Sequence, residues 1–300
     1  SSIPSNLYVY RAKWSPNGMK IAFIADKLRD IETATSIYIY DVLSKNVELL
    51  PTTAGKFPVS GNFYPNKLKW SPDGTILYVS GKFSGQSGYS RIWVVDLDSY
   101  EMEQFSQGES LTWSPDGSQI AILDTEVDSS KVRLVDPQGN EVQVIYEFKH
   151  SGSSRTFMNI EWSPYGDILA IAAAGVTHDG YADNIYLLRV DGTKFEPLIM
   201  NSTSWQLASP SWYPGSHWLA FVAFDPGQRT VKFAPITGEC VYSWLPQIKN
   251  VDNVDLAADG KTALVVSWGD LYIVDLEIAA RPPIRDGQPN GCLLFSNHPT

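Results

Sequence analysis

The chain has 300 residues, of which 43% are hydrophobic and 19% charged, a composition typical of globular proteins with a buried core. Its formal net charge is −10 at pH 7 and no run of Lys or Arg occurs. Nucleic acid and anionic membranes bind basic surfaces, so both are disfavoured as partners. No apolar stretch approaches the roughly 18 residues that a membrane-spanning helix needs.

One short turn sequence recurs along the chain. Its copies are 43 to 56 residues apart, which is the size of a propeller blade. Ser-Pro-Asp-Gly suits a tight hairpin, because Pro supplies the φ of a type I turn and Gly accepts positive φ. The copies are WSPNG at Trp14, WSPDG at Trp70 and Trp113, WSPYG at Trp162, WYPGS at Trp212 and LAADG at Leu256.

The residues around each turn read as strands. The seventh and ninth residues after the first residue of each copy are apolar in all six, as in Leu77 and Val79. Third strands such as IWVVD and fourth strands such as EVQVIYEF follow. The pattern predicts an all-β fold, a six-bladed β-propeller with four antiparallel strands per blade, whose Trp anchors are wedges between neighbouring blades.

We expect a single domain over residues 1–300, with blades starting near residues 8, 62, 108, 156, 205 and 251. Residues 280–300 would form a tail or a closing strand. Either the N-terminal SNLYVY or the late CLLFSN could supply the outermost strand of blade 6. Cys240 and Cys292 could be buried thiols or one disulfide that fastens the tail.

Anchor, turn, apolar strand and the IYVVDL-like third strand together resemble the TolB-type, WD-like propeller repeat. They are also similar to the propellers of prolyl-oligopeptidase-type peptidases. The resemblance covers nearly the whole chain and implies the fold, but it fixes no function, because that family includes partner-binding, scaffolding and enzyme-associated propellers. We expect neither the additional α/β domain of TolB nor the hydrolase domain of the peptidases.

Loops between second and third strands are longest in blades 1, 2 and 4, on the face opposite the Ser-Pro-Asp-Gly turns. One-sided insertions on a repeat scaffold usually map the binding face. Aromatic and charged side chains in these loops form the predicted binding site, although solvated loops are an equal alternative. The binding residues are Arg29, Asp30, Phe83, Tyr89, His178, Asp179, Tyr181 and Asp183.

The innermost strands carry polar residues one and three positions before each anchor. This predicts a hydrated central channel, with positive charge from blades 1 and 2 and negative charge from blades 4 and 6. A small polar ligand or a metal on the axis is the less favoured alternative. The channel-lining residues are Arg11, Lys13, Lys67, Lys69, Asn159, Glu161, Asn253 and Asp255.

Motifs for known chemistry are absent from the sequence. It contains no HExxH, no GxSxG and no phosphate-binding glycine loop, so we predict neither catalytic residues nor a metal or cofactor. The favoured hypothesis is a non-catalytic propeller that binds a protein or peptide in the periplasm or outside the cell. The alternatives are an enzyme acting on a sugar or another small molecule in the funnel, using Glu161 with His178, and a structural module of a cell-surface assembly.

Overall fold

The fold, seen in a computed structural model, is an all-β ring of six blades, as the repeat predicts. The structure describes residues 4, 6–28, 35–50, 63–83, 90–125, 129–149, 156–174, 176–177, 180–181, 184–198, 207–225, 227–238 and 240–276. Within these ranges, no helix has the length and apolar character that crossing a membrane requires.

Each blade is an antiparallel sheet whose strands run outward from the channel in chain order. Blade 1 contains β1 Leu7–Trp14, β2 Lys20–Lys27, β3 Ser36–Asp41 and β4 Val47–Leu49. Blade 2 contains β5 Phe63–Trp70, β6 Ile76–Phe83, β7 Arg91–Asp96 and β8 Met102–Gln107. Blade 3 contains β9 Ser110–Trp113, β10 Ile120–Thr125, β11 Ser129–Val135 and β12 Glu141–Lys149.

Blade 4 contains β13 Thr156–Trp162, β14 Ile168–Ala174, β17 Asn184–Arg189 and β18 Phe195–Pro197, with a small hairpin of β15 Val176–Thr177 and β16 Gly180–Tyr181. Blade 5 contains β19 Leu207–Trp212, β20 Trp218–Asp225, β21 Gln228–Pro235 and β22 Tyr242–Trp244. Blade 6 contains β23 Val251–Leu256, β24 Thr262–Ser267 and β25 Asp270–Asp275.

The recurring turn joins the first and second strands of each blade by one hydrogen-bond pattern. In blade 2, the Gly74 N–H donates to the Ser71 carbonyl at 2.9 Å, and Ser71 Oγ accepts the Ile76 N–H at 3.0 Å. Gly74 has φ +75°, the left-handed region that favours glycine. Pro16 of the preceding turn lies 3.8 Å from the position where a Gly74 Cβ would stand. Neighbouring turns therefore lie close together between blades 1 and 2, and the same proline–glycine approach recurs between blades 2 and 3, 3 and 4, and 5 and 6.

The apolar core consists of clusters between neighbouring blades. Between blades 1 and 2, buried Trp70 packs with Ile24 of β2 and Leu77 of β6. Trp70 Nε1 also donates to the Lys13 carbonyl of blade 1 at 3.2 Å. Trp212 makes the same bond between blades 4 and 5, where its Nε1 donates to the Glu161 carbonyl at 3.1 Å. The wedge role predicted for the anchors is confirmed at these two interfaces.

The ring closes where blade 6 packs on blade 1. Leu7 and Phe23 share a buried cluster with Leu264, and the Val9 N–H donates to the Gly269 carbonyl at 2.7 Å. The N-terminal segment is therefore the innermost strand of blade 1 and not the outermost strand of blade 6. Residues 292–297, the other candidate, lie outside the described ranges.

Cys240 is disulfide-bonded and lies just before β22 in blade 5. The chain has one other cysteine, Cys292, which lies beyond the described residues. Cys240 is therefore not the free thiol that one of the two sequence-based alternatives requires.

A pair of matched substitutions tests the wedge bonds. Trp70 and Trp162 are 5% and 7% exposed, but within the described part of the chain the indole nitrogen of Trp162 has no acceptor. We expect Trp70→Phe to lower the free energy of unfolding by about 1 kcal/mol more than Trp162→Phe, because it alone breaks a buried hydrogen bond. Urea denaturation of both variants measures the difference, and equal losses would contradict the assignment.

Candidate functional site in the channel and on the loop face

Five of the six innermost strands, all except β9 of blade 3, have a bulge just before the channel-lining positions. A β-bulge bends a strand and re-aims its side chains, and bulges are frequent near functional sites. Here the distortion faces the loop side of the ring, opposite the proline turns. The register shifts lie between Val9 and Arg11, Pro65 and Lys67, Phe157 and Asn159, Ala208 and Ser211, and Val251 and Asn253.

Four charged residues directly before the anchors meet across the channel. Lys13 Nζ lies 2.8 Å from Glu161 Oε1 and 2.8 Å from Asp255 Oδ1. Lys69 Nζ lies 2.5 Å from Glu161 Oε2. Blades 1 and 2 do not adjoin blade 4 in the ring, so the contacts of Glu161 cross the axis. We name Lys13, Lys69, Glu161 and Asp255 the axial network.

Burial and pairing act against each other in the axial network. Burial raises the pKa of Glu161, but Lys13 and Lys69 lower it more, so the carboxyl stays below its ordinary value. Burial lowers the pKa of Lys13, but Asp255 and Glu161 raise it more strongly. Burial keeps the pKa of Asp255 above its usual range, against the opposing charge of Lys13. Glu161 is therefore an ionised structural partner and a poor general acid at neutral pH.

Short polar residues at the same strand position join adjacent blades. Thr112 Oγ1 accepts the Trp162 N–H at 3.1 Å, and Ser211 Oγ accepts the Leu256 N–H at 3.0 Å. Asp255 Oδ2 accepts the Trp14 N–H at 2.9 Å in addition to its ion pair. These bonds satisfy backbone donors that strand pairing leaves over. Part of the polarity that the sequence suggests to be channel lining is thus used to hold the ring together.

The next layer towards the loop face contains the remaining predicted channel residues. Asn253 Oδ1 accepts the Ala12 N–H at 3.0 Å, and Asn159 Oδ1 accepts a hydrogen bond from Ser110 Oγ at 3.0 Å. Two cations, Arg11 and Lys67, complete this layer.

Arg11 and Lys67 bond to backbone carbonyls. Arg11 Nη1 donates to the carbonyls of Tyr10 at 3.0 Å and Asp252 at 3.1 Å. Lys67 Nζ donates to the Glu109 carbonyl at 3.1 Å. Burial, together with the charges of Arg11 and Lys82, lowers the pKa of Lys67 to about 8, although Glu109 offsets part of the shift.

On the turn face, the axial network forms the floor of a cavity of about 470 Å³. That volume falls within the range of small-molecule sites. Its walls are anchor indoles and the prolines of three turns, Pro16, Pro164 and Pro214. Only the edges of these indole rings line the cavity, because Trp70, Trp162 and Trp212 are at most 8% exposed.

An aromatic patch lies on the loop face where blade 6 meets blade 1. Trp268 is 67% exposed and occupies the left-handed region with φ +53°, in the hairpin between β24 and β25. Gly269 follows it, and Tyr8 packs so closely on this glycine that a Cβ there would lie 2.3 Å from the ring. Tyr8 in turn contacts Tyr10, with ring centroids 5.1 Å apart. We name Tyr8, Tyr10 and Trp268 the rim patch.

None of the residues of the rim patch is among the binding residues predicted from the sequence. A bulky exposed residue in left-handed backbone is uncommon and often marks a functional position. The available signal was a tryptophan directly before a glycine at a two-residue hairpin, which predicts positive φ at both positions.

The predicted loop residues lie almost entirely beyond the described ranges, namely Arg29, Asp30, Tyr89, His178, Asp179 and Asp183. Phe83 ends β6, and Tyr181 lies in β16 of the additional hairpin in blade 4. Both of these positions are at the loop end of their blades. Their role in binding stays a prediction.

The axial network predicts that neutralising Glu161 destabilises the fold far more than neutralising a glutamate in a surface ion pair. Glu161→Gln leaves two half-buried ammonium groups without their shared carboxylate, and we expect the free energy of unfolding to fall by about 3–5 kcal/mol. The control is Glu196→Gln, because Glu196 pairs with Lys194 at 2.7 Å on the surface, where a pair contributes about 0–1 kcal/mol. Urea denaturation at pH 7 compares them, and similar losses would show that the network is not a stabilising constraint.

The lowered pKa of Lys67 predicts that the stability difference between the wild type and a variant without this lysine depends on pH. The folded chain binds the Lys67 proton less readily than the unfolded chain, in which the pKa is near 10.5, so the charge destabilises the fold below pH 8. We expect Lys67→Met to raise the free energy of unfolding by about 2 kcal/mol at pH 7. This gain should shrink as the pH rises from 8 to 10.5.

Exposed Lys27→Met is the control for this measurement and should show no such trend. Thermal unfolding of the wild type and both variants at several pH values from 6 to 10.5 provides the test. A gain for Lys67→Met that does not vary with pH would refute the electrostatic cause.

Comparison with known proteins places the fold. No protein-family profile matches the chain. The curated relatives it matches include the probable dipeptidyl-peptidase 5 of Aspergillus clavatus, 29% identical over 100 residues, and dipeptidyl-peptidase 5 of Aspergillus fumigatus, 32% identical over 114 residues. These matches cover 33% and 36% of this chain and only 13% and 15% of the relatives.

Solved structures resemble the chain over most of its length. Hydrazine synthase of Kuenenia stuttgartiensis aligns with TM-score 0.61 and 13% identity, over 92% of this chain and 97% of that one. TolB of Acinetobacter baumannii aligns with TM-score 0.57 and 18% identity, over 79% and 54%. Oligogalacturonate lyase of Vibrio parahaemolyticus aligns with TM-score 0.57 and 13% identity, over 93% and 79%. The chain therefore has the six-bladed propeller fold of TolB, as its repeat suggests, and shares that fold with enzymes as well.

Proposed function

We propose that the protein is a non-catalytic propeller that binds a protein or peptide partner on its loop face. The observation that carries this proposal is the rim patch, in which exposed Trp268 is held in left-handed backbone. Aromatic side chains on a rigid support suit recognition, because they offer a large contact area and lose little conformational freedom on binding. Blades with buried cores provide that support.

The rim patch adjoins the loop end of β2 and the mouth of the channel. Tyr10 lies in the bulge of β1, and its hydroxyl donates to Asp26 Oδ2 at 2.6 Å at the loop end of β2. Arg11 follows Tyr10 in the chain and bonds to its carbonyl. An apolar contact surface thus leads directly to a cation at the channel mouth, an arrangement that suits a peptide with both kinds of side chain.

The catalytic alternative finds less support in the channel. Oligogalacturonate lyase shares the fold, which favours a carbohydrate-active enzyme as the second candidate. That candidate needs Glu161 as a proton donor or acceptor, yet both oxygens of Glu161 are held by lysines. Acid–base catalysis requires a carboxyl group whose pKa lies near the working pH, whereas ion pairing keeps that of Glu161 low.

We further propose that the protein works in the periplasm or outside the cell. The support is the disulfide of Cys240, because structural disulfides persist in oxidising compartments.

Matched aromatic substitutions on the two faces test the proposed binding surface. Trp268 on the loop face and Tyr165 on the turn face are 67% and 56% exposed. We expect a partner captured from native extract, then purified, to bind wild type and Tyr165→Ala equally and Trp268→Ala at least about tenfold more weakly, since exposed aromatic anchors dominate binding energy. Equal binding by all three proteins would place recognition elsewhere, and oligogalacturonate cleavage by the purified protein would contradict the non-catalytic assignment.

A further inference from the structure

Unpaired positive charge is concentrated in the loop-side layer of the channel. Arg11 and Lys67 occupy the same position in blades 1 and 2, and both are half-buried. Within the described ranges, neither forms an ion pair with a carboxylate, and their hydrogen bonds go to the carbonyls of Tyr10, Asp252 and Glu109. Charges removed from water are normally paired with an opposite charge.

The neighbouring carboxylates are already engaged. The Asp252 carboxylate is ion-paired with Arg229. Glu109 Oε2 accepts a hydrogen bond from Ser90 Oγ at 2.9 Å. Glu109 and Asp252 still attract Lys67 and Arg11, but the cations around them repel: Arg11 and Lys82 act on Lys67, and Arg229 acts on Arg11. Among the described residues that act on one another here, cations therefore outnumber carboxylates: Arg11, Lys67, Lys82 and Arg229 against Glu109 and Asp252.

The axial network cannot supply the missing anion. This network lies one layer deeper in the channel than Arg11 and Lys67. Its two carboxylates are already paired with its two lysines, so its positive and negative charges balance. The whole chain carries a formal charge of −10, so a local excess of cations in its channel is not a consequence of composition. It is a feature of two neighbouring blades.

From this charge imbalance we infer that Arg11 and Lys67 bind a carboxylate of the partner at the loop-side mouth of the channel. The inference rests on the proposed peptide-binding function and names the chemistry that the partner presents. The hydrogen bonds of Arg11 to described residues use Nη1, so Nε and Nη2 are not used in these bonds and can donate to a carboxylate. Guanidinium and carboxylate groups pair in a planar, two-bond geometry, and an ammonium group adds a point charge beside them.

The rim patch extends the description of the partner. Tyr10 lies directly before Arg11 and contacts Tyr8, which packs on the Trp268–Gly269 turn. A segment that fits both features carries an acidic residue, or its own C-terminal carboxylate, next to an aromatic or aliphatic residue.

Two small probes test the carboxylate site directly. Triglutamate represents a peptide carboxylate and trigalacturonate a sugar carboxylate, and both are titrated into the full chain at low salt by NMR. We expect triglutamate to bind the wild type and to bind Arg11→Gln and Lys67→Gln about tenfold more weakly. Lys27→Gln, which removes an exposed lysine, should bind like the wild type, apart from a small general charge effect.

Controls separate the site from the fold and from the proposed function. If Arg11→Gln does not fold, Lys67→Gln alone decides, and bound triglutamate should raise the pKa of Lys67 in the wild type, which a purely structural lysine would not show. Unchanged triglutamate affinity in both variants would overturn the inference. Binding of trigalacturonate alone, lost in Arg11→Gln, would support the carboxylate site and overturn the peptide-binding function.

Discussion

Each carboxylate oxygen of Glu161 accepts a hydrogen bond from a lysine ammonium group, Lys13 on one oxygen and Lys69 on the other. The rest of the channel is organised around these two bonds. The lysines come from blades 1 and 2, and Asp255 of blade 6 holds Lys13 from the other side. Blades that do not touch through their sheets are thus joined at the centre. Apolar packing between neighbours builds the ring, while the central ion pairs relate its opposite sides and fix which layer of the channel is neutral.

That division between layers organises the functional surfaces. The inner layer is charge-balanced, so it favours no charged ligand. The next layer towards the loop face contains Arg11 and Lys67, and it opens on the face that carries the rim patch. On a propeller, each blade contributes one residue per layer, so a change of one residue in one blade alters the charge of a layer without altering the fold. Recognition and stability can therefore be adjusted by neighbouring residues on the same strand.

The repeat made the fold predictable. Residues such as Leu77 and Val79, spaced by two after each turn, are fully buried, and Gly74 adopts the positive φ that its turn requires. The anchors were predictable as wedges because a large apolar ring in every repeat needs a shared interface. These features depend on residues that are close together in the chain or that recur at a fixed spacing, so they can be recognised in the sequence alone.

The candidate site was predictable only in part. Alternating polar residues indicated which positions face the channel, but the pairing of Lys13 with Glu161 depends on how six blades close into a ring, and no local pattern contains that information. The polar residues Thr112 and Ser211 were indistinguishable from channel lining, because a hydroxyl that accepts a backbone N–H looks the same in sequence as a hydrated one. Trp268 was missed since its meaning lies in its backbone conformation and in the contact of Gly269 with Tyr8.

The axial network also separates the two mouths of the ring. Lys13 and Lys69 reach Glu161 across the axis, with the cavity of about 470 Å³ on one side and the Arg11 and Lys67 layer on the other. An extended polypeptide could not be threaded from face to face without rupturing buried ion pairs. A ligand in the turn-face cavity and a group bound by Arg11 and Lys67 would therefore lie on opposite sides of these ion pairs.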